Sequence, residues 1–341
     1  MVIAREATIF QGARRAYGRP LRNTPLHGRH GTSRFLSSAA SAAARSLSYA
    51  MLRLLLASLF AHGVAALSVV DYGLASTAKG LPFENKDAYF TAPPNFYGVF
   101  DGVSSMPQSR VYAQTLAKTS CDTLLQSQRG NPKGEWTAQA CSALTAATAA
   151  AQEYRGSSTA ILLKMELEQS LPLACVYSVG DCQTLVLRKA AGAEEYAIAE
   201  TTIDKIHPEN GAPYQFGGEK LQTDKPEDGD AYAFEVLPGD ILLCYTDGIT
   251  DNMQPAEIET LINIQADNPA SEIAEVLVEA ARLRQAVDDD CTAVAVKLGD
   301  GRWVGGDMAV QTTPTDGEAV KNAAFGWFKA RFAEMGEGDE E

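Results

Sequence analysis

Two pairs of helical stretches interrupt an otherwise β-rich chain, and that order restricts the fold more than any other feature. Short runs rich in β-branched, aromatic and other apolar residues lie at 88–91, 96–100, 159–165, 173–178, 184–188, 231–236, 241–245 and 291–297. Helical periodicity occupies 109–128 and 136–154, between the second and third runs, and then 255–264 and 270–286, before the last run. The stretch at 136–154 is so rich in alanine that it must pack closely against a neighbour. Regular βαβ alternation would build a parallel sheet, and strands alone a barrel or sandwich; this chain does neither. The expected fold is α+β, with antiparallel sheets that carry helices on their outer faces. Gly, Pro, Asn and Asp cluster at 204–230, which predicts a long polar loop over a site.

Charge divides the chain. Of 29 Lys+Arg and 43 Asp+Glu, residues 1–70 hold nine Arg and a single acid, Glu6. The remaining 271 residues therefore carry a balance of −22, which excludes nucleic acid as the default partner. Residues 1–50, rich in Arg, Ser and Ala, have the composition of an organellar transit peptide. Residues 51–68 read like a signal peptide, with an apolar run and small residues at Val64-Ala65-Ala66. The expectation is a removable presequence over 1–66 that directs the protein to a mitochondrion or plastid. Entry to the secretory pathway or a membrane anchor through 51–68 is the alternative, weakened as an anchor by Arg53 and His62. A folded domain is expected over 67–304. It is followed at 305–341 by a polar linker, an amphipathic helix bearing Val320, Ala324, Trp327, Phe328, Phe332 and Met335, and an acidic tail. Membrane contact is expected only through 51–70 or that helix, and the protein is expected to be a monomer.

The residue types that remain restrict the chemistry. Of four histidines only His207 lies beyond the leader. The six cysteines, at 121, 141, 175, 182, 244 and 291, lack paired CxxC spacing, so a zinc site is not expected. Aspartates instead recur where an apolar run meets a turn: Asp87 opens one, Asp101-Gly102 and Asp247-Gly248 close two others, Gly180-Asp181 closes a fourth and Asp288-Asp289-Asp290 precedes the last. Asp-Gly after a strand is usually only a turn. Five such cases in one domain are harder to dismiss, because clustered carboxylates repel unless cations neutralise them. Oxygen-only ligand sets suit Mg²⁺ or Mn²⁺.

Asp87, Tyr97-Gly98-Val99-Phe100-Asp101-Gly102-Val103, Gly156-Ser157-Ser158-Thr159-Ala160, Val179-Gly180-Asp181, Leu243-Cys244-Tyr245-Thr246-Asp247-Gly248-Ile249-Thr250-Asp251-Asn252-Met253 and Asp289-Asp290-Cys291-Thr292-Ala293-Val294 follow one another in an order that resembles the metal-dependent Ser/Thr protein phosphatases of type 2C. The details resemble most the organellar, type 2C phosphatase seven-homologue branch. The resemblance implies a central antiparallel β-sandwich flanked by pairs of helices, an α-β-β-α fold. It implies hydrolysis of phosphoserine and phosphothreonine in phosphoprotein substrates by a water or hydroxide that bridges two Mg²⁺ or Mn²⁺ ions, with a third, weaker metal site. By the same resemblance Asp101, Asp247 and Asp289 are the catalytic aspartates. Asp101 would bridge the metals, the Gly102 carbonyl would bind one, Asp247 and Asp289 would hold the other, Asp87 would act through water, and Asp181 would join Asp247 at the third site.

Departures from the family pattern are as specific as the matches. Val103 stands where many members have the histidine that is the candidate general acid, and Ser104-Ser105 replaces a glycine pair. Pro82 occupies the position of a phosphate-binding arginine, for which Lys79 or Lys86 could substitute. These changes leave a second reading: a phosphatase-fold module that acts by docking. Cys182 and Arg188 fit the C-x5-R spacing of cysteine phosphatases, but the residues between them form an extended run and not a phosphate-cradling loop, which excludes that chemistry.

Overall fold

The computed structural model describes residues 67–301 except 80–83, 131–134, 219–220, 222–223 and 285. The expected presequence over 1–66 and the expected linker, helix and tail over 305–341 lie outside the described residues. In chain order the elements are β1 (Leu67–Thr77), β2 (Ala88–Ala92), β3 (Phe96–Phe100), α1 (Ser109–Gly130), α2 (Trp136–Ala151), β4 (Ser157–Ser158), β5 (Ala160–Glu166), β6 (Leu173–Val179), β7 (Gln183–Lys189), β8 (Tyr196–Thr201), β9 (Phe216–Gly217), β10 (Asp230–Glu235), β11 (Ile241–Tyr245), α3 (Asp247–Thr250), α4 (Pro255–Gln265), α5 (Ala270–Arg284) and β12 (Cys291–Asp300).

Two five-stranded sheets form, in the orders β1-β12-β11-β7-β8 and β10-β6-β5-β3-β2, and every pairing is antiparallel. The strands alternate between two buried environments, as a period of two requires when both faces are covered. On β5, Ile161, Leu163 and Met165 point into the layer between the sheets, whereas Ala160 and Leu162 point toward α1 and α2. On β12, Val294, Val296 and Leu298 enter that central layer while Cys291, Ala293 and Ala295 face α4 and α5. Three apolar layers therefore separate four structural layers, which is the α-β-β-α sandwich expected. The alanines of α2 have their neighbours: Ala140, Ala143, Ala147 and Ala151 are fully buried with α1 and the sheet, and Trp136 stacks on Phe96 with centroids 6.5 Å apart.

Three elements depart from the sequence expectation. β1 adds an eleven-residue edge strand that pairs with β12 across more than 200 residues of chain. β8 is a largely exposed strand on the opposite edge of the same sheet. The 204–230 segment is more ordered than a plain loop, with β9, an isolated bridge between Ile206 and Pro213, and a 3₁₀ turn at Pro226–Asp228.

One ion pair ties β7 to the turn before β11. Asp240, 1% exposed at its side chain, accepts hydrogen bonds from Arg188 Nε and Nη2 at 2.8 and 2.6 Å and from the Leu237 N–H at 2.8 Å. Removing the carboxylate strands a guanidinium that is only a quarter exposed. Asp240→Ala is therefore expected to lower the unfolding free energy in urea by about 2–3 kcal/mol. A change below about 0.5 kcal/mol, the scale of a solvated surface pair, would show that the bridge is energetically idle.

Candidate metal centre

Strand register brings the acids to one place. β2 and β3 pair with Ala88 opposite Phe100, so Asp87 at the start of one strand and Asp101 at the end of the other leave the hairpin side by side. The same edge holds the start of β5 and the end of β6, where Ala160 lies opposite Val179 and the Thr159 N–H donates to the Asp101 carbonyl at 3.0 Å. Asp181 follows two residues later. In the other sheet Tyr245 of β11 is opposite Ala293 of β12, so Asp247 and the Asp288-Asp289-Asp290 run emerge together. Both sheets thus end in carboxylates at the same margin of the sandwich.

Thr246 locks the two margins to each other. Its hydroxyl donates to Asp87 Oδ2 at 2.9 Å and accepts the Thr292 N–H at 3.0 Å, and its own N–H reaches the Thr292 carbonyl at 3.0 Å. The two Asp-Gly steps have a steric reason. A Cβ on Gly102 would lie 2.2 Å from the Lys86 carbonyl oxygen, and one on Gly248 would lie 2.0 Å from that of Asp290. Each glycine therefore lets the segment carrying the next acid press against it.

Asp101, Asp181 and Asp247 each present a carboxylate oxygen to a common point, all three within 4.8 Å of one another. Burial raises Asp101 well above the usual carboxylate range, reinforced by Asp247, Asp87, Asp181 and Asp289. Asp247 is pushed up to about 9, chiefly by burial and then by Asp181 and Asp289. Asp87 rises to about 7 through burial and the charge of Asp290, against the hydrogen bonds from Thr292 and Thr246. Asp181 rises to about 6, mainly by burial, with Asp204 and Asp251 adding to it. Among the described residues, the buried Oδ1 atoms of Asp87, Asp181 and Asp247 have no hydrogen-bond partner. Orphaned, convergent, oxygen-only donors that oppose one another's ionisation are what a hard divalent cation satisfies, so this residue set fits Mg²⁺ or Mn²⁺.

The other predicted positions fall around this trio. Asp289 sits within its field but directs Oδ1 to the Ser104 hydroxyl, which donates at 3.1 Å, and to Lys79 Nζ at 3.6 Å. Gly102 is bridged to Ser158 at the rim. Lys86 uses its ammonium on the carbonyls of Ser104 and Met106, at 2.5 and 3.1 Å, and so braces the turn after Gly102. His207 engages Asp224 at 3.0 Å and stacks on Tyr214 with centroids 4.0 Å apart, within the 204–230 segment. That segment reaches the site through Asp204, whose charge bears on Asp181, and through the Lys205 N–H, which donates to the Gly180 carbonyl at 2.8 Å. The cysteine reading stays excluded: burial raises the Cys182 thiol far above its ordinary value, and Arg188 is committed to Asp240.

The sequence motifs contain Thr246 and Asp290 but assign neither a role. Asp290 is 2% exposed and accepts the backbone N–H groups of Lys79 and Lys86 at 2.8 and 2.9 Å, which pins both ends of the segment before Asp87. The Asp288-Asp289-Asp290 triplet was a signal, but nothing local separates the acid that turns inward to the backbone from its neighbour at the cluster.

A carboxylate whose pKa is higher in the folded than in the unfolded state binds more protons when folded. Its contribution is therefore intact below the unfolded value, 3.8 here, and fades as pH climbs toward the folded value. In EDTA the melting temperature should fall between pH 5 and pH 8.5, and excess Mn²⁺ should flatten the fall. A metal-free melting temperature that is level or rising over that range would refute this account of the cluster.

Comparison with known proteins accords with this geometry. A family model described as "Stage II sporulation protein E (SpoIIE)" matches residues 118–299. "Probable protein phosphatase 2C BIPP2C1" of Oryza sativa subsp. japonica is 28% identical over 225 residues, 61% of this chain and 35% of that protein. "Protein phosphatase PTC7 homolog fig" of Drosophila simulans is 29% identical over 140 residues, covering 38% and 42%. The chain thus spans about a third of the length of its first curated relative. Among solved structures, the photosystem II phosphatase PBCP superposes with a TM-score of 0.53 at 19% identity, covering 66% of this chain and 97% of that one. The catalytic domain of the serine/threonine phosphatase PstP, solved with two manganese ions, gives 0.51 at 17% identity, covering 68% and 99%. These structures share the fold, and the family model, which covers more than half of the chain, makes it a member of the SpoIIE family, with proteins named as type 2C phosphatases among its relatives.

Proposed function

We propose that this chain is a protein serine/threonine phosphatase that depends on divalent metal, with Asp101, Asp247 and Asp289 as its catalytic aspartates. The observation that carries the reading is the convergence of Asp101, Asp181 and Asp247 within 4.8 Å, with orphaned buried oxygens on Asp181 and Asp247. Asp101, the Gly102 carbonyl, Asp247 and Asp289 would hold two Mg²⁺ or Mn²⁺ ions, Asp87 would act beside them, and Asp181 with Asp247 would serve a third, weaker site. Such ions supply Lewis-acid activation of water and neutralise the phosphoryl oxygens during in-line displacement. The chain's own part is orientation. Thr246 fixes Asp87, Asp290 fixes the approach of Lys79 and Lys86, and the braced turn at 103–106 forms the rim. Val103 offers no proton at that rim, so the side chain there does not protonate the departing serine or threonine oxygen. The substrate is a phosphoprotein. Asp204 and Asp251, whose charges bear on Asp181, make the rim acidic and favour basic residues beside the phosphorylated one.

Asp247→Asn should cut Mn²⁺-dependent hydrolysis of a phosphothreonine peptide by about 10³-fold or more while melting no lower than wild type in EDTA. Retained turnover in that variant would remove Asp247 from the chemistry, and its loss together with the fold would leave the docking-module reading in place. Peptides with Lys or Arg beside the phosphorylated residue should show kcat/KM about fivefold above their Asp- or Glu-flanked counterparts, the difference shrinking with salt. Equal turnover of the two sets would discard the acidic-rim preference.

A further inference from the structure

We infer that Lys79 is the built-in counter-cation of the acid cluster: its ammonium holds Asp289 in the metal-free protein and competes there with the divalent cation. The inference deepens the metal-dependent reading above and rests on it. Lys79 is secured at three points. Its backbone N–H is held by Asp290 Oδ1 at 2.8 Å, its Nζ donates to the Ser104 hydroxyl at 2.5 Å, and the same Nζ stands 3.6 Å from Asp289 Oδ1. Ser104 closes the triangle by donating to that same carboxylate oxygen at 3.1 Å. Lys86 keeps Ser104 in place by holding its carbonyl.

The electrostatics follow from this placement. Asp289 adds to the charge that bears on Asp87, Asp101, Asp181 and Asp247, so leaving it uncompensated would raise the cost of assembling all of them. The Lys79 and Asp289 side chains are only 14% and 22% exposed, which makes their attraction stronger than that of a solvated surface pair. The ammonium, Ser104 and the Asp290 N–H all meet Asp289 at Oδ1, so a divalent cation would bind Asp289 either by displacing the ammonium there or through Oδ2 beside it, and in both cases the ammonium repels the incoming charge. The metal-free fold is thereby stabilised at the expense of metal affinity, and the exchange of one cation for another sets the metal concentration at which the site fills. Lys79 acts through Asp289 and is a positioning residue.

Calorimetric titration of the full chain with Mn²⁺, paired with thermal unfolding in EDTA, tests this on wild type, Lys79→Met, Lys79→Gln and Lys79→Arg. The two neutral variants should bind Mn²⁺ about tenfold more tightly at the step that Asp289→Asn abolishes, equivalent to about 1.4 kcal/mol, and melt lower in EDTA. Lys79→Arg should stay close to wild type in both. A purely structural role predicts looser metal binding in the neutral variants, the opposite sign. Unchanged or weaker Mn²⁺ binding in either folded neutral variant overturns the inference while leaving the phosphatase reading intact. A wild type that binds no Mn²⁺ overturns both. Should both neutral variants be unfolded in EDTA, Mn²⁺ is expected to fold them, and failure to do so counts against the competition.

Discussion

Mutual repulsion among half-buried and buried aspartates at one margin of the sandwich is the constraint around which the rest of the structure is arranged. Asp101 is opposed by four other aspartates, and burial removes the water that would screen them. Such an arrangement persists only if the surrounding backbone over-determines it. It does so in three ways. Antiparallel register carries each acid to the same edge, the Thr246 hydroxyl joins the two sheets through Asp87, and Asp290 spends its carboxylate on two backbone N–H groups. The packed layers on both sides of each sheet hold the strand ends rigid against the repulsion.

The architecture was legible in the sequence where the burial pattern is strong. Strands with both faces covered read as continuous apolar runs, and β3, β5, β6, β11 and β12 are of this kind. β1 escaped because its burial is mostly partial and its partner, β12, lies at the far end of the domain. β8 escaped because it is an exposed edge strand whose residues carry little apolar signal. Local pattern cannot reveal pairing that is set by distant register.

The site was legible in its members and not in their connections. Asp87, Asp101, Asp181 and Asp247 stand out because each ends or opens an apolar run, and the structure gathers them. What no spacing announced is the division of labour between neighbours. Asp289 faces the cluster rim and Asp290 the backbone, although they are consecutive acids of the same type. Thr246 is equally silent, since a threonine at a strand end is ordinary, and its importance arises only when Asp87, 159 residues away, arrives beside its hydroxyl. Lys79 belongs to the same class: a cation near a turn acquires meaning from the carboxylate folded onto it.

Charge also orders the events at such a site. A phosphomonoester near neutral pH carries between one and two negative charges, and the margin it would approach under the proposed function is lined by Asp101, Asp181, Asp247 and Asp289 with Asp204 and Asp251 nearby. With the aspartates ionised and uncompensated, that margin repels a phosphorylated residue. With them protonated, it has no basic oxygens with which to bind a metal or orient water. Neither protonation state alone suits the substrate, and a single lysine ammonium beside one of the acids does not reverse the sign of the field. Divalent cations held by these acids would resolve both requirements at once, because they would keep the carboxylates ionised and turn the local charge positive. On the metal-dependent reading proposed above, electrostatics would order the events: cations would have to enter before a phosphorylated residue, against the repulsion of the Lys79 ammonium that holds Asp289.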